Sequence, residues 1–381
     1  MTNKNSELLI ITGEVSGDLI GASLIKELKK LNSSLKIVGI GGNGMKDEEM
    51  EIIYHIDQMA FLGFFEVLKH LPFIKKVQRS LLEIVDKRKI KYAVLIDYPG
   101  FNLSIAKKLK ARGVKIIYYV SPQIWAWGKS RINKMKTLIN KMLVVFPFEK
   151  ELYQKNGINV EFIGHPIVER VDQYDFLSKE EFYTKFNIKK EKELLLIMPG
   201  SRIQEVKKIF PESLKAANRL AAKFNMQIVV ACAENMDEKI FKDLGVLGSF
   251  KLIKGFNYDL MKFAKFGIIK SGTSTLEAGY FSLPMVIVYR TSFFTYLIGR
   301  QLITLDRIGM VNIILDGKVI PELIQSEVNE KMIFSEAEKI LSNEQNYDMK
   351  KRKLENIKIK LGKIGASQNA AQLIIEQMND A

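Results

Sequence analysis

The segment Lys270 to Glu277, KSGTSTLE, joins the apolar run Phe266 to Ile269 to a hydroxyl-rich helix start. Ser271, Gly272, Thr273 and Ser274 would there present backbone N–H groups and the positive end of a helix dipole at the carboxyl edge of a strand, where α/β proteins hold phosphate. Glu277 follows about one turn later, placed to accept two hydroxyls of a ribose. A second junction of this kind precedes it. The apolar strand Leu194 to Met198 ends in Pro199, Gly200, Ser201 and Arg202, and the guanidinium fork of Arg202 suits a diphosphate. Either junction alone is also the ordinary way to begin a helix. The pair points to a nucleotide diphosphate.

The amino-terminal half carries carboxylates at similar positions. Gly13, Glu14, Val15, Ser16, Gly17 and Asp18 follow the apolar run Leu8 to Thr12, so two carboxylates, a hydroxyl and two glycines sit where a sheet would end. The competing reading is a tight strand-to-helix turn with Asp18 near the helix start. Asp97 closes the strand Tyr92 to Ile96 ahead of Tyr98, Pro99 and Gly100, a position for a general base, with capping of the next helix as the alternative. Asp18 and Glu14 are the reserves for that role. Trp125 and Trp127, the two tryptophans of the chain, offer flat surfaces for a sugar or acyl group, or simply pack their loop. Gly39, Gly41 and Gly44 match GxGxxG but follow the second strand, which discounts a dinucleotide site. His165, between Gly164 and Pro166, reads as a hydrogen-bonded hinge residue with no second metal-type residue nearby. No Asp-x-Asp occurs, so charge neutralisation at a diphosphate falls to Arg202 and helix N-termini, without a metal.

Met59 to Val85 has a different character. Phe61, Phe64, Phe65 and Leu68 recur at helical spacing, Phe73, Ile74, Val77 and Leu81 continue past Pro72, and Lys69, Lys75, Lys76 and Arg79 lie between them. A basic amphipathic stretch with bulky aromatics fits a membrane interface. A buried core helix is the alternative; the positive charge of the chain and the clustered Phe residues favour membrane contact.

The elements that position these residues follow from short apolar runs alternating with helix-period segments, the rhythm of an α/β protein with doubly wound, mainly parallel sheets. Strands are expected at Leu8 to Thr12, Lys36 to Ile40, Tyr92 to Ile96, Lys115 to Tyr119 and Met142 to Phe146, then at Leu194 to Met198, Gln227 to Ala231, Gly267 to Lys270 and Met285 to Tyr289. Expected helices include Ile20 to Leu31, Leu103 to Arg112, Pro211 to Phe224 and Ser274 to Tyr280. The predicted division is a Rossmann-like lobe over 1–168, a strandless charged linker over 169–193, a second Rossmann-like lobe over 194–345 and terminal helices over 346–381. Two such lobes leave a cleft, the usual setting for bisubstrate chemistry.

Composition agrees with this division. A chain of 381 residues at 47% hydrophobic content suits two domains with separate cores. Its formal charge of +15 favours an anionic partner, whether phosphorylated substrates, an anionic membrane or nucleic acid. The single Cys232 excludes an internal disulfide, and no Cys/His cluster offers a zinc site. No signal-peptide core precedes the first strand and no apolar run approaches about 18 residues, so a cytosolic chain that does not span the membrane is expected.

The motifs GEVSGD (13–18), IDYPGFN (96–102), SPQIWAWG (121–128), FPFE (146–149), GHP (164–166), PGSR (199–202), SGTSTLE (271–277) and PELIQ (321–325), in this order, resemble the lipid-A-disaccharide synthase family over nearly the whole chain. The resemblance implies a GT-B glycosyltransferase, two Rossmann-like lobes around a cleft. Such an enzyme joins UDP-2,3-diacylglucosamine to 2,3-diacylglucosamine 1-phosphate, giving the β(1→6) lipid A disaccharide and UDP at the cytoplasmic face of a Gram-negative inner membrane. It implies a peripheral protein whose apolar stretch, here Phe61, Phe64, Phe65, Leu68, Phe73 and Ile74, dips into the anionic bilayer. No cofactor is implied beyond UDP as part of the donor, and no nucleic acid. Carried over by position, Arg202, Ser271, Gly272 and Thr273 would meet the UDP phosphates, Glu277 the ribose, and Asn312, Glu322 and Gln325 would line the donor pocket. Gly13, Ser16, Gly17, Trp125 and Trp127 would face the acceptor side of the cleft, and the helix near Ala366 to Met378 would pack back on the first lobe. At Asn312 to Leu315 the chain departs from an NLLAG-like run, keeping the Asn. An α-linked donor and a β-linked product imply one in-line displacement, with Asp97 the expected base. A UDP-N-acetyl-sugar epimerase of the same architecture is the rival enzyme reading, and a nucleic-acid-binding protein the rival from charge alone.

Overall fold

Parallel strands are covered on both faces by their crossover helices, which is why they read as near-continuous Ile, Leu and Val runs. The protein is seen in a computed structural model that describes residues 7–59, 70–122, 131–234, 236–244, 249–291 and 307–379. The chain divides into two compact units. One runs to Arg170 and takes in the chain from Leu361 onward; the other is Val171–Lys360. Among the described residues, the first holds a seven-stranded sheet in the order β3-β2-β1-β4-β5-β6-β7. Its strands are β1 (Glu7–Ile11), β2 (Lys36–Gly41), β3 (Glu51–His55), β4 (Tyr92–Ile96), β5 (Lys115–Tyr119), β6 (Lys141–Val144) and β7 (Val160–Phe162). The second holds a six-stranded sheet in the order β10-β9-β8-β11-β12-β13. Here the strands are β8 (Glu193–Met198), β9 (Met226–Cys232), β10 (Lys251–Lys254), β11 (Ala264–Lys270), β12 (Met285–Tyr289) and β13 (Glu322–Ile324). The neighbours in both sheets pair in parallel.

The nine expected strands are the interior ones. The strands that the sequence does not mark, β3, β7, β10 and β13, are the four sheet edges. An edge strand is covered less completely and need not be apolar throughout: β3 reads EIIYH, β7 VEF, β10 KLIK and β13 ELI.

Strand order reverses between β1 and β4 in the first unit and between β8 and β11 in the second. These pairs are in register as Ile11 beside Leu95 and Met198 beside Ile269. The crevice outside the carboxyl ends of such a pair is where open α/β sheets bind ligands.

Two expectations about the chain's divisions are corrected. Residues 171–193 are part of the second unit: the helix Lys179–Lys185, capped by Ser178, buries Phe182 and Tyr183 in that unit's core. Of the terminal residues, those up to Lys360 stay with the second unit, where the helix Glu344–Lys360 buries Leu354 and Ile357. The helix Ala366–Asn379 belongs to the first unit and packs along the helix Val15–Leu31. Ser367 secures it, donating from its N–H and hydroxyl to Glu169 at 2.8 and 2.7 Å. His165, buried in the same corner, donates its N–H to the Leu361 carbonyl at 2.9 Å and accepts at Nδ1 from the Ile167 N–H. Burial, with the nearby Arg170 charge, lowers its pKa to about 3, so it stays neutral.

The helix expected to begin at Pro211 begins at Ile203 and carries Pro211 inside it. Its buried residues Val206, Ile209, Phe210, Leu214 and Ala217 form one stripe at helical spacing. Burial of that stripe carries the helix through a residue that removes a backbone donor.

Candidate functional site

In the first unit, Asp97 leaves the carboxyl end of β4 with both it and Tyr98 at a φ of +45°. Left-handed backbone is uncommon for Asp and more so for Tyr, and persists only where surrounding bonds fix it. They do so here. Asn102 donates its side-chain N–H to the carbonyls of Ile96 and Asp97 at 3.2 and 2.8 Å, the Tyr118 hydroxyl donates to Asp97 O at 2.6 Å, and the Asp97 N–H donates to Tyr119 O at 3.0 Å. The Tyr98 hydroxyl donates to Met59 O at 3.0 Å, and its ring stacks on Phe101. Gly13 admits this ring: a Cβ at Gly13 would lie 2.3 Å from Tyr98 Cδ1. All these bonds hold backbone and ring, leaving the carboxylate available. Burial, and then the charge of Glu14, raise the Asp97 pKa to about 6, against a lowering contribution from the Tyr98 N–H. Such a carboxyl is deprotonated at neutral pH yet basic enough to accept a proton.

Glu14 is exposed at the N-cap of the helix Val15–Leu31, and its side chain makes no capping bond. Ser16 is exposed beside it and Gly17 is buried in the first turn. Asp18 has another task. Its buried carboxylate accepts the N–H groups of Gly42, Gly44 and Met45 at 2.6, 2.9 and 3.1 Å, holding the amino end of the short helix Asn43–Asp47. The reserve role for Asp18 is therefore withdrawn.

In the second unit, the turn after β8 and the turn after β11 lie side by side. Arg202 is the N-cap residue of the helix Ile203–Phe224, half-exposed, with Nη1 3.7 Å from Glu205. Gly272 is the N-cap of the helix Thr273–Tyr280; the Thr275 N–H donates back to the Gly272 carbonyl at 3.1 Å, and the N–H groups of Thr273 and Ser274 precede any carbonyl of the helix. A cavity of about 130 Å³ joins the turns, lined among others by Gly200, Ser201, Lys270, Gly272, Thr273 and Ser274. Ser271 serves the scaffold more than the cavity: its N–H donates to Val288 O at 2.9 Å and its hydroxyl to Ile308 O at 3.0 Å. Glu277 lies half-buried one turn into the helix.

Asn312, Glu322 and Gln325, expected to line the donor pocket, are engaged by their own chain. The fully buried Asn312 donates to Ile320 O and Glu322 Oε1 at 2.7 Å each and accepts the N–H groups of Val319 and Ile320 at 3.0 and 2.9 Å. Glu322 also accepts the N–H groups of Ile308 and Gly309 at 2.8 and 3.0 Å, and Gln325 accepts that of Thr291 at 2.8 Å. These residues fix the backbone at 308–309 and 319–320. A larger cavity, about 370 Å³, lies at the start of β13 among Lys318, Glu336, Lys339 and Lys350, away from the two turns.

Of the stretch expected to contact membrane, Phe73 and Ile74 are half-buried against the first unit's core, with Phe73 edge-on to Tyr54. They sit in the helix Leu71–Arg88, which buries Val77, Leu81, Leu82 and Val85 and exposes Leu71, Lys75, Lys76 and Arg79. Phe61, Phe64, Phe65 and Leu68, and likewise Trp125 and Trp127, lie outside the described residues. Among the described residues, no helix is long and apolar enough to cross a membrane.

Lys270, which lines the smaller cavity, and Glu205, its partner at 2.9 Å, are given no role by the sequence motifs. A lysine closing an otherwise apolar strand, directly before a glycine turn, is the signal that was available for the first; the second is recognisable only from its partners.

A glycosyltransferase of the GT-B class is what the two Rossmann-like units and their motif-bearing turns define. The chain belongs to the lipid-A-disaccharide synthetase family, whose model matches residues 8–377. It is 35% identical over 380 residues to the lipid-A-disaccharide synthase of Geobacter metallireducens, covering 99% of this chain and 98% of that protein. It is 36% identical over 376 residues to that of Syntrophus aciditrophicus, covering 97% and 98%. Its fold is similar to the crystal structure of the UDP-GlcNAc 2-epimerase from Neisseria meningitidis bound to UDP-GlcNAc, with a TM-score of 0.67 and 14% identity over 98% of this chain and 100% of that one. At that identity the likeness carries the fold alone, so the epimerase reading gains nothing from it.

Proposed function

We propose that this chain transfers 2,3-diacylglucosamine from its UDP donor to the 6-hydroxyl of 2,3-diacylglucosamine 1-phosphate. Asp97 accepts the hydroxyl proton, the oxygen forms the new bond to the anomeric carbon, and the bond to UDP breaks with its electrons passing to the diphosphate. Arg202 and the N–H groups of Gly272 and Thr273 receive that charge, without a divalent metal. The observation that carries the reading is that these donors stand in the turns that follow the neighbouring strands β8 and β11, where strand order reverses. The experiment that tests it is the release of UDP by the purified protein in detergent, with donor and acceptor together and with each alone. Release that needs both substrates supports transfer; release from donor alone at the same rate, or none, contradicts it.

The raised pKa of Asp97 sets the acid limb of the rate profile. Below about pH 6 its carboxyl is protonated and cannot accept a proton, so kcat/KM, which reports the free enzyme, is expected to fall about tenfold per pH unit. Glu14→Gln removes a charge that raises this pKa, so the limb is expected to move to lower pH. A limb that stays in place separates Glu14 from Asp97.

Arg202→Ala is expected to weaken UDP binding and slow turnover, by roughly 2 to 4 kcal/mol in the transition state for losing a charge-assisted contact to a departing diphosphate. Unchanged UDP affinity and turnover would remove Arg202 from the site.

We further infer that the acylated substrates draw the enzyme onto a membrane as a peripheral protein, at the cytoplasmic face of the inner membrane. The exposed Lys75, Lys76 and Arg79 support this, since juxtamembrane basic residues each contribute about 1 kcal/mol on an anionic surface. Changing all three to Ser is expected to release the protein from anionic vesicles in a sedimentation assay with its melting temperature nearly unchanged. Undiminished sedimentation would rule this helix out as the contact.

A further inference from the structure

The Lys270 ammonium stands over the turn that follows β11: a Cβ at Gly272 would come within 3.8 Å of it. It is 2.9 Å from Glu205 Oε1, with both side chains largely buried, and the same oxygen is 3.7 Å from Arg202 Nη1. The other carboxylate oxygen lies on the first turn. A Cβ at Gly200 would be 2.5 Å from Glu205 Oε2, and Gly200 itself has a φ of +118°, so glycine is what lets the carboxylate rest there. One acidic side chain thus links Lys270, which lines the cavity, to Arg202 at the helix start beside it, while pressed against the backbone of the turn after β8.

We propose that Lys270 is a second cation for the donor's diphosphate and that Glu205 is its resident counter-ion, which the diphosphate displaces. The inference rests on the donor reading above. A carboxylate and a phosphate present similar acceptors to an ammonium and a guanidinium, but a diphosphate brings more charge and more oxygens. A displaced Glu205 keeps a favourable place, because it sits in the first turn of the helix Ile203–Phe224, at the positive end of its dipole. The exchange keeps both cations paired throughout, and it opposes any ligand with too little charge to repay the lost ion pairs. Glu205 is in this sense a specificity-determining residue for the diphosphate.

The test is calorimetric titration of UDP into the wild-type protein and the variants Lys270→Met, Lys270→Arg and Glu205→Gln, with thermal melting of each as a check on folding. Lys270→Met is expected to weaken UDP about tenfold or more, as for a lost hydrogen bond to a charged group. Lys270→Arg, which keeps the charge, is expected to restore most of the affinity. Glu205→Gln removes the competitor and is expected to tighten UDP severalfold, an effect opposite to that of losing a residue that merely braces the turn. Wild-type affinity in Lys270→Met, or weaker or unchanged affinity in a folded Glu205→Gln, overturns the proposal; if Glu205→Gln does not fold, the two Lys270 variants decide it. Wild-type protein that takes up no UDP removes the donor reading, and this inference with it.

Discussion

Asparagine in place of Asp97 is expected to cut turnover about 100-fold or more, the range for losing a general base, while UDP affinity and the circular dichroism spectrum stay at wild-type values. The separation is built into the turn. Asn102, Tyr118 and Tyr119 hold the backbone of residue 97 through its carbonyl and N–H, none through the carboxylate. Asparagine is nearly isosteric, is itself enriched in left-handed backbone, and lacks only the capacity to take the proton. Activity near wild type in this variant would move the base elsewhere, and Glu14 would be tested next.

Asn312→Ala is expected to act on stability. Its side chain makes four hydrogen bonds in a fully buried setting, so truncation takes the partner from the Val319 and Ile320 N–H groups and from the Ile320 carbonyl, and leaves Glu322 Oε1 with the Gly309 N–H. Leaving even two buried polar groups unpaired costs on the order of 3 kcal/mol or more. In a domain of this size that lowers the melting temperature by about 10 °C. Glu322 loses an anchor in the same variant, so the backbone at 308–309 loosens and UDP affinity drops as a secondary effect. A variant that melts like wild type but no longer binds UDP would return Asn312 to the donor pocket.

The interior strands were legible because burial on both faces writes itself into the sequence as apolar runs, and the junctions after β8 and β11 were legible as strand-to-helix turns because a glycine follows each run. The edge strands were not, since a strand such as β13, ELI, carries no burial signature of its own. Asn312, Glu322 and Asp18 show a different limit. The family resemblance placed Asn312 and Glu322 in the donor pocket and the junction after the first strand placed Asp18 in the cleft, but a polar side chain next to a site can bind a ligand or its own backbone, and the observed hydrogen bonds show the second. Pro211 misled for a physical reason: proline is favoured in the first turn of a helix, and the stripe from Val206 to Ala217 overrode that preference. The Lys270–Glu205 pair was invisible because its members come from different strand ends that only the β8–β11 pairing brings together.

The central claim is inverting transfer of a diacylated glucosamine from UDP to an acylated glucosamine 1-phosphate. Incubating the protein with both substrates in detergent and EDTA, then determining the product by mass spectrometry and the anomeric configuration by NMR, tests it most directly. The account predicts one β(1→6)-linked disaccharide 1-phosphate and one UDP per turnover, undiminished by EDTA. An α-linked product, an isomerised UDP-sugar with no disaccharide, or a reaction that stops in EDTA and returns with magnesium would contradict it.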